Sequence, residues 1–490
     1  MKPISLGTRQ ELLACLLLIA LVALFYGVTS LPGHDWGDDF ALYIHHAHNL
    51  LSGLPYRDTQ YLFNPEMPKI GPPAYPPGFP LLLLPVLSLF GASLPVMKGW
   101  VSAFLLAGLL VLFRLFAGQL SFAARLTLLA LVGCNGVFVQ VKEEIISDLP
   151  FLFFVLVTLD ALQTPPPASA GQKWWLQALW QGVLIYACYA IRVAGVVFIP
   201  AMLWRDWLQN RSISAQSRLT VLLFCLLALL QQRFFPGGGG YFTSLFLDFQ
   251  WAELPSKFYH NLNYFTLIWG EEKWVRLLLF AGSAPLAALA LLRAWQKGPT
   301  IIETFSIGYF LLILLWPYTG VRFALPLLPL YFYYLLSALQ SLPPLALRRW
   351  RVPGHVLLLL AGFAAYALHY QQQWQGGYWS GQRDGIHQPY AQALFQFIRQ
   401  QTAPEAVILF NKPRVLAWMT GRSAAAFAAQ DPERLWAYIQ KVQASYLIDA
   451  FLEGGPATPG LQRFIADHAE RLQVVFAQGP VVVYRIISPE

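Results

Sequence analysis

Charge is scarce in this sequence. Asp, Glu, Lys and Arg make up 12% of 490 residues, where a soluble domain carries about 25%. That deficit excludes the string of soluble domains that the length alone would permit. Cysteine is scarce too, and Cys15, Cys134, Cys188 and Cys225 all fall in apolar runs. They form neither a disulfide framework nor a zinc spacing, so they read as small packing residues. A phosphate-cradling loop is missing. The glycines after Pro236 are not followed by the Lys and Ser/Thr of a P-loop, and they read as a hinge. No internal repeat is visible. No small-x-small cleavage site follows the first apolar run, which is therefore read as a retained helix.

Apolar residues are what the chain has in excess, at 57%. A helix needs about 20 of them to cross a bilayer, though shorter spans occur. Spans are predicted at 11–31, 96–117, 126–142, 149–163, 176–191, 193–208, 219–235, 276–294, 301–317, 323–341 and 354–370. These eleven put the two chain ends on opposite sides. Lys2, Arg9, Arg114, Arg125, Lys173, Arg205, Arg211, Arg218, Arg293, Lys297, Arg348, Arg349 and Arg351 then share one side, the cytoplasmic one by the positive-inside tendency. The net charge of +8 therefore reflects loops and not nucleic acid. The loop 32–95, the turn 143–148, the loop 236–275 and the tail after 371 face outward.

The stretch 75–91 is apolar but short and broken by prolines. Counted as a span, it would flip every later loop. It is read instead as a helix at the outer interface, covered by its neighbours. After Tyr370 charged residues return. Strands are predicted at 405–410 and 444–450, helices at 389–401, 414–419, 432–442 and 460–472, and a hairpin at 473–486. The expected organisation is a polytopic α-helical membrane domain over 1–370 and a small outward-facing α/β domain over 371–490. The tail carries no clear catalytic constellation and reads as accessory.

Four features can carry chemistry. Asp38 and Asp39 in "DWGDDFALY" stand at a membrane boundary and open a helix that they can cap. Adjacent acids beside lipid should have raised and unequal pKa values, which suits a general base. "VKEEIISDLPF" (141–151) sets Lys142, Glu143, Glu144 and Asp148 between apolar runs, where charge is a functional signal. Arg192 sits in "YACYAIRVAGVVFIPA", where Gly195 and Pro200 permit a helix break. Arg322 stands at an outward turn beside Tyr318. Guanidinium groups bind phosphate oxygens bidentately, so the two arginines point to an anionic, lipid-borne substrate. Each feature has a plainer reading: solvated loop, polar turn, or snorkelling anchor. His45 and His48 share a helix face and could chelate a metal with Asp38 or Asp39, but no third ligand is specified. Glu271 and Glu272 in "GEEK" read as a solvated loop.

Taken in order, these motifs resemble the GT-C superfamily of glycosyltransferases. The likeness is greatest to the bacterial branch of protein O-mannosyltransferases and lipid A aminoarabinose transferase. "DWGDDFALYIHHAHNLLSGLPY" resembles the family's first outward loop, with Asp38, Asp39, Tyr43 and "GLPY". "YPPGFPLLLLPVLSLFG" resembles its proline-marked segment and "ISDLPF" its second acidic motif. "IRVAGVVFIPA" and "RFALPLLPL" resemble its arginine-bearing elements. The resemblance covers about residues 10–340. It implies transfer of a sugar from a polyprenyl-phosphate donor to a glycan, lipid or protein acceptor, outside the inner membrane of a bacterium and with inversion. Asp38 or Asp39 would be the base, the family pattern favouring the first. Asp148, Glu144 and Tyr43 would position acceptor or sugar. Arg192, Arg322 and Tyr318 would hold the donor phosphate. No metal or cofactor is required, although a divalent cation is compatible. The alternatives are a flippase or transporter, and a non-catalytic envelope assembly protein. Acids clustered at one face and the missing repeat disfavour the first. The second leaves Arg192 and the acid pair unexplained.

Overall fold

The computed structural model describes residues 6–67, 70–163, 174–236, 251–316, 320–347, 350–379, 385–428, 431–450 and 459–487. Helices stand at the positions of the predicted spans: α1 Leu6–Val28, α4 Leu94–Leu115, α5 Phe122–Gly133 with α6 Gly136–Val141, α7 Asp148–Gln163, α8 Trp174–Ile191, α9 Phe198–Asn210, α10 Ala215–Phe234, α12 Lys273–Gln296, α13 Ile301–Leu315, α14 Leu328–Gln340 and α15 Gly354–Gln375. Between them lie α2 Asp39–Ser52, α3 Gly78–Phe90 and α11 Leu254–Thr266. Five of the described helices are long and apolar enough to cross a membrane: Arg9–Val28, Leu94–Leu115, Ala215–Phe234, Lys273–Gln296 and the composite Val321–Gln340.

The bundle is apolar on its outside. Leu13, Leu17, Leu24 and Val28 of α1 and Leu222 and Leu229 of α10 are all more than 60% exposed. Lys98, Lys142, Glu143, Asp148 and Glu303 are buried. Water rewards the opposite arrangement, so the outer surface is built for lipid. Arg114 pairs with Asp160, Arg125 with Glu11, and Arg205 with Asp206 and the carbonyl of Leu162. Asp160 lies near the C-terminus of α7 and Asp148 at its start. The basic end of the bundle is thus the end remote from Asp148.

Two breaks shape the interior. The expected span 126–142 is interrupted because Asn135 accepts from the backbone of Val137 and starts a new helix. Its amide donates to the Ile268 carbonyl and to Tyr366. The expected break at Arg192 is present. α8 stops at Ile191, Arg192 is extended, and a 3-10 turn over Val193–Val197 leads into α9. A Cβ on Gly195 would stand 2.5 Å from the Cys188 carbonyl carbon, so only glycine lets the chain fold back here. α3 packs on the same place, with Gly78 against the backbone of Ala190.

Strand β1, Tyr61–Leu62, lies in the loop between α2 and α3. A short antiparallel hairpin of β2 Leu345–Leu347 and β3 Trp350–Val352 links α14 to α15. The tail builds α16 Pro389–Gln401, α17 Pro413–Thr420, α18 Pro432–Val442 and α19 Pro459–Asp467 around a sheet. Its own strands are β4 Val407–Leu409, β5 Ser423–Ala425, β6 Ala444–Ala450, β7 Leu472–Gln478 and β8 Val481–Ile486. β1 joins them at the edge, and the order is β1-β5-β4-β6-β8-β7. β1 pairs with β5 in parallel, Tyr61 opposite Ala424. Loop and tail therefore share one sheet.

Candidate functional site

The chain between α1 and α2 is fixed before it reaches the acid pair. Glu143 accepts from the Leu31 amide at 3.0 Å and from the ammonium groups of Lys98 and Lys142. Those ammoniums also hold the carbonyls of Thr29, Leu31 and Gly33. A buried charge network of this kind is sound only when every member is partnered. Lys142 and Glu143, singled out by the sequence, serve this structural latch.

α2 then starts from a strained residue. Asp38 has φ 150° and occupies the N-cap position of α2, but its side chain does not cap that helix. It accepts instead from the backbone amides of Arg414 and Val415 at 3.0 Å each, at the N-terminus of α17. It also accepts from Arg414 Nε at 2.6 Å. An anion at a helix N-terminus is favoured by the unpaired amides there. Asp39 Oδ1 accepts from the Tyr75 hydroxyl and Arg414 Nη2, both at 2.9 Å, and Oδ2 accepts from Arg322 Nη1 at 2.9 Å. Burial pushes the Asp38 carboxyl up against the pull of Arg414. Burial acts on Asp39 too, but Arg322 and then Arg414 outweigh it and hold the carboxyl below the ordinary range. The pair is unequal, as expected. That both would be raised is corrected at Asp39, because two guanidiniums face it.

Asp39, Tyr43, Asp148, Arg192 and Arg322 line one cavity of about 270 Å³, with Tyr75, Ser147, Tyr309 and Phe323. Across it Arg192 pairs with Asp148 at 2.7 Å. Tyr43 and Arg192 meet at the Ser147 hydroxyl, and Tyr43 stacks on Tyr75 at 4.3 Å. Phe323 stands under both guanidiniums, 5.3 Å from Arg192 and 5.2 Å from Arg322. The 3-10 turns at Val193–Val197 and Val321–Leu327 present these arginines. Continuous helices would have carried them past the cavity. Val193, Ala194, Leu312 and Ile313 make an apolar part of its lining. The cavity thus joins charged groups to an apolar wall.

Two expected site residues lie elsewhere, and one lies outside the described residues. Asp38 is behind Asp39, closed off by Arg414. Glu144 belongs to a neighbouring group in which His34, Asp35 and Glu144 bring ligand atoms within 4.8 Å of one another. Burial, and then Asp35 beside it, push the Glu144 carboxyl up to about 7. The donor types suit a divalent cation. The ring of His34 does not, because Nδ1 meets the Asp35 carbonyl and Nε2 accepts from the Ile145 amide. Tyr318 is outside the described residues. His45 and His48 face Trp418 and not the acid pair, and His46 ties Tyr56 to Tyr75 through its two ring nitrogens. Glu271 pairs with Gln140, and Glu272 caps α12.

Sequence reasoning missed Arg414 and Tyr75. Arg414 did carry a signal. It shares a helical face with Ala417 and Trp418, and an arginine on an apolar face needs an anion.

No family model and no curated protein matches the sequence. Solved structures do match, and they define the class of architecture: this is the fold of the GT-C glycosyltransferases. Among them is ArnT of Cupriavidus metallidurans bound to undecaprenyl phosphate, at 14% identity and a TM-score of 0.57, over 97% of this chain and 99% of that one. The oligosaccharyltransferase of Archaeoglobus fulgidus matches at 13% identity and 0.58, over 89% of this chain and 69% of that one. The mycobacterial arabinofuranosyltransferase AftD matches at 14% and 0.56, over 97% of this chain and 40% of that one. At such identities the likeness concerns the fold.

Proposed function

We propose that this chain is a membrane glycosyltransferase. It moves a sugar from a polyprenyl-phosphate donor to an acceptor hydroxyl at the outer face of the cytoplasmic membrane, with inversion. The observation that carries this reading is one cavity lined by Asp39, Arg322, Arg192 and Asp148 together with the apolar Val193, Ala194, Leu312 and Ile313. Solved relatives of the same fold hold undecaprenyl phosphate or dolichol-phosphate.

In the proposed reaction Asp39 accepts the proton of the acceptor hydroxyl as its oxygen attacks the anomeric carbon. The anomeric C–O bond to phosphate breaks, and the polyprenyl phosphate leaves with the electron pair. Arg192 and Arg322 meet that charge in a site already shaped for it. At rest Asp39 is a weak base, because Arg322 is bonded to it. A donor phosphate that engages Arg322 loosens this hold and makes Asp39 more basic. Asp148 and Tyr43 line the same cavity and orient sugar or acceptor. The sugar head and phosphate stay in the polar cavity, while the polyprenyl chain remains against lipid.

The test compares surface glycans and the polyprenyl-phosphate pool by mass spectrometry in cells with the wild-type gene, without it, and with Asp39→Asn. Loss of one glycan component with accumulation of its lipid donor, in both altered strains, is the expected result. Unchanged glycans and an unchanged pool in the deletion strain overturn the reading.

A further inference from the structure

The tail reaches into the acid pair through one residue. Arg414 is 3% exposed and bonds Asp38, Asp39 and the hydroxyl of Tyr75, the last at 2.6 Å. The segment around it is tied to the first outward loop at separate points. Lys412 donates to the Gly37 carbonyl at 2.8 Å, Ala424 to that of Gln60 at 2.9 Å, and Asn64 of the loop to that of Ala426 at 2.9 Å. Gly385 donates to the His34 carbonyl at 3.0 Å. These bonds fix the position of Arg414 relative to Asp39.

The charges make its role specific. Asp39 and Asp148 line the cavity with Arg192 and Arg322, and directly behind Asp39 stand a third carboxylate, Asp38, and a third guanidinium, Arg414. Without Arg414 the acids outnumber the bases, and Arg322 alone must answer for Asp39. A phosphate would then meet surplus negative charge. We propose that Arg414 is a positioning residue of the transfer site, by which the tail neutralises the acid pair and leaves Arg192 and Arg322 able to take a lipid phosphate. This rests on the reading of the cavity as a lipid-phosphate site.

The test measures binding of undecaprenyl phosphate, with undecaprenol as the uncharged control, to the full chain in nanodiscs by native mass spectrometry. Wild type should prefer the phosphate. Arg414→Gln should weaken phosphate binding by about tenfold or more while leaving undecaprenol unchanged. Arg414→Lys should recover part of the loss. Asp38→Asn combined with Arg414→Gln removes one charge of each sign and should return affinity to within a few-fold of wild type. If Arg322→Gln loses affinity and a folded Arg414→Gln does not, the proposal is overturned. It is equally overturned if the double variant folds but stays as weak as Arg322→Gln, or if no Arg414 variant folds. A wild type that does not distinguish the two lipids overturns the underlying reading instead.

Discussion

At the scale of single residues, adjacent carboxylates have different work. Asp38 is buried against Arg414 and two helix amides, and Asp39 faces the cavity. Asp39→Asn should lower transfer by about 10²- to 10⁴-fold, the usual contribution of a positioned base, and should lower the melting temperature less than Asp38→Asn does, because Asp39 is the more exposed partner of Arg414. Asp38→Asn removes a buried partner and should destabilise the protein by on the order of 3 kcal/mol in thermal unfolding. The sequence identified the pair and both arginines, because charge amid apolar residues is visible in one dimension. The residues alone did not separate the two acids, and only the family resemblance favoured the first. The choice between the two depends on Arg414, 376 residues from Asp38, and no local pattern carries that.

Glu144 gives a test by pH at the same scale. Its folded carboxyl titrates near 7, above the ordinary 4.5, because burial and Asp35 disfavour its charge. Below pH 4.5 both folded and unfolded forms are protonated, and Glu144 leaves stability unaffected. Between 4.5 and 7 the unfolded state gives up its proton first, so stability falls as pH rises. Glu144→Gln should flatten the fall in melting temperature over that window in scanning calorimetry. An unaltered slope would show that Glu144 is not held in this way.

At the scale of elements, breaks in helices place the chemistry. The break at Arg192 was legible because Gly195 and Pro200 follow the lone arginine within one apolar run. The break at Asn135 was not, because hydropathy averages over "GCNG" (133–136), although each of its polar or glycine residues is a turn signal. Gly195→Ala would drive a methyl into the Cys188 backbone. Overpacking of this kind costs about 1–3 kcal/mol. The variant should unfold at lower temperature and bind undecaprenyl phosphate more weakly, since Arg192 begins the turn that must shift. Normal binding with normal melting would mean that the turn tolerates the methyl.

At the scale of the whole molecule, the bundle and the tail meet in a sheet that the sequence does not announce. The strands at 444–450 and 473–486 were legible from alternation and a Gly-Pro turn. β1 has two residues and β5 three, too few to show a period of two. Their pairing spans about 360 positions, and it orders the loop that carries Asp39. Ala424→Pro removes the amide that bonds Gln60, and a proline in a paired strand breaks the ladder. Hydrogen exchange at residues 60–64 should then quicken, while exchange in α4 and α7 stays slow. If Arg414 acts through this sheet, affinity for undecaprenyl phosphate should fall in step with the lost protection. Fast exchange with full affinity would mean that Arg414 is held by α17 alone, its amides anchored on Asp38, and that the strand pairing serves stability only.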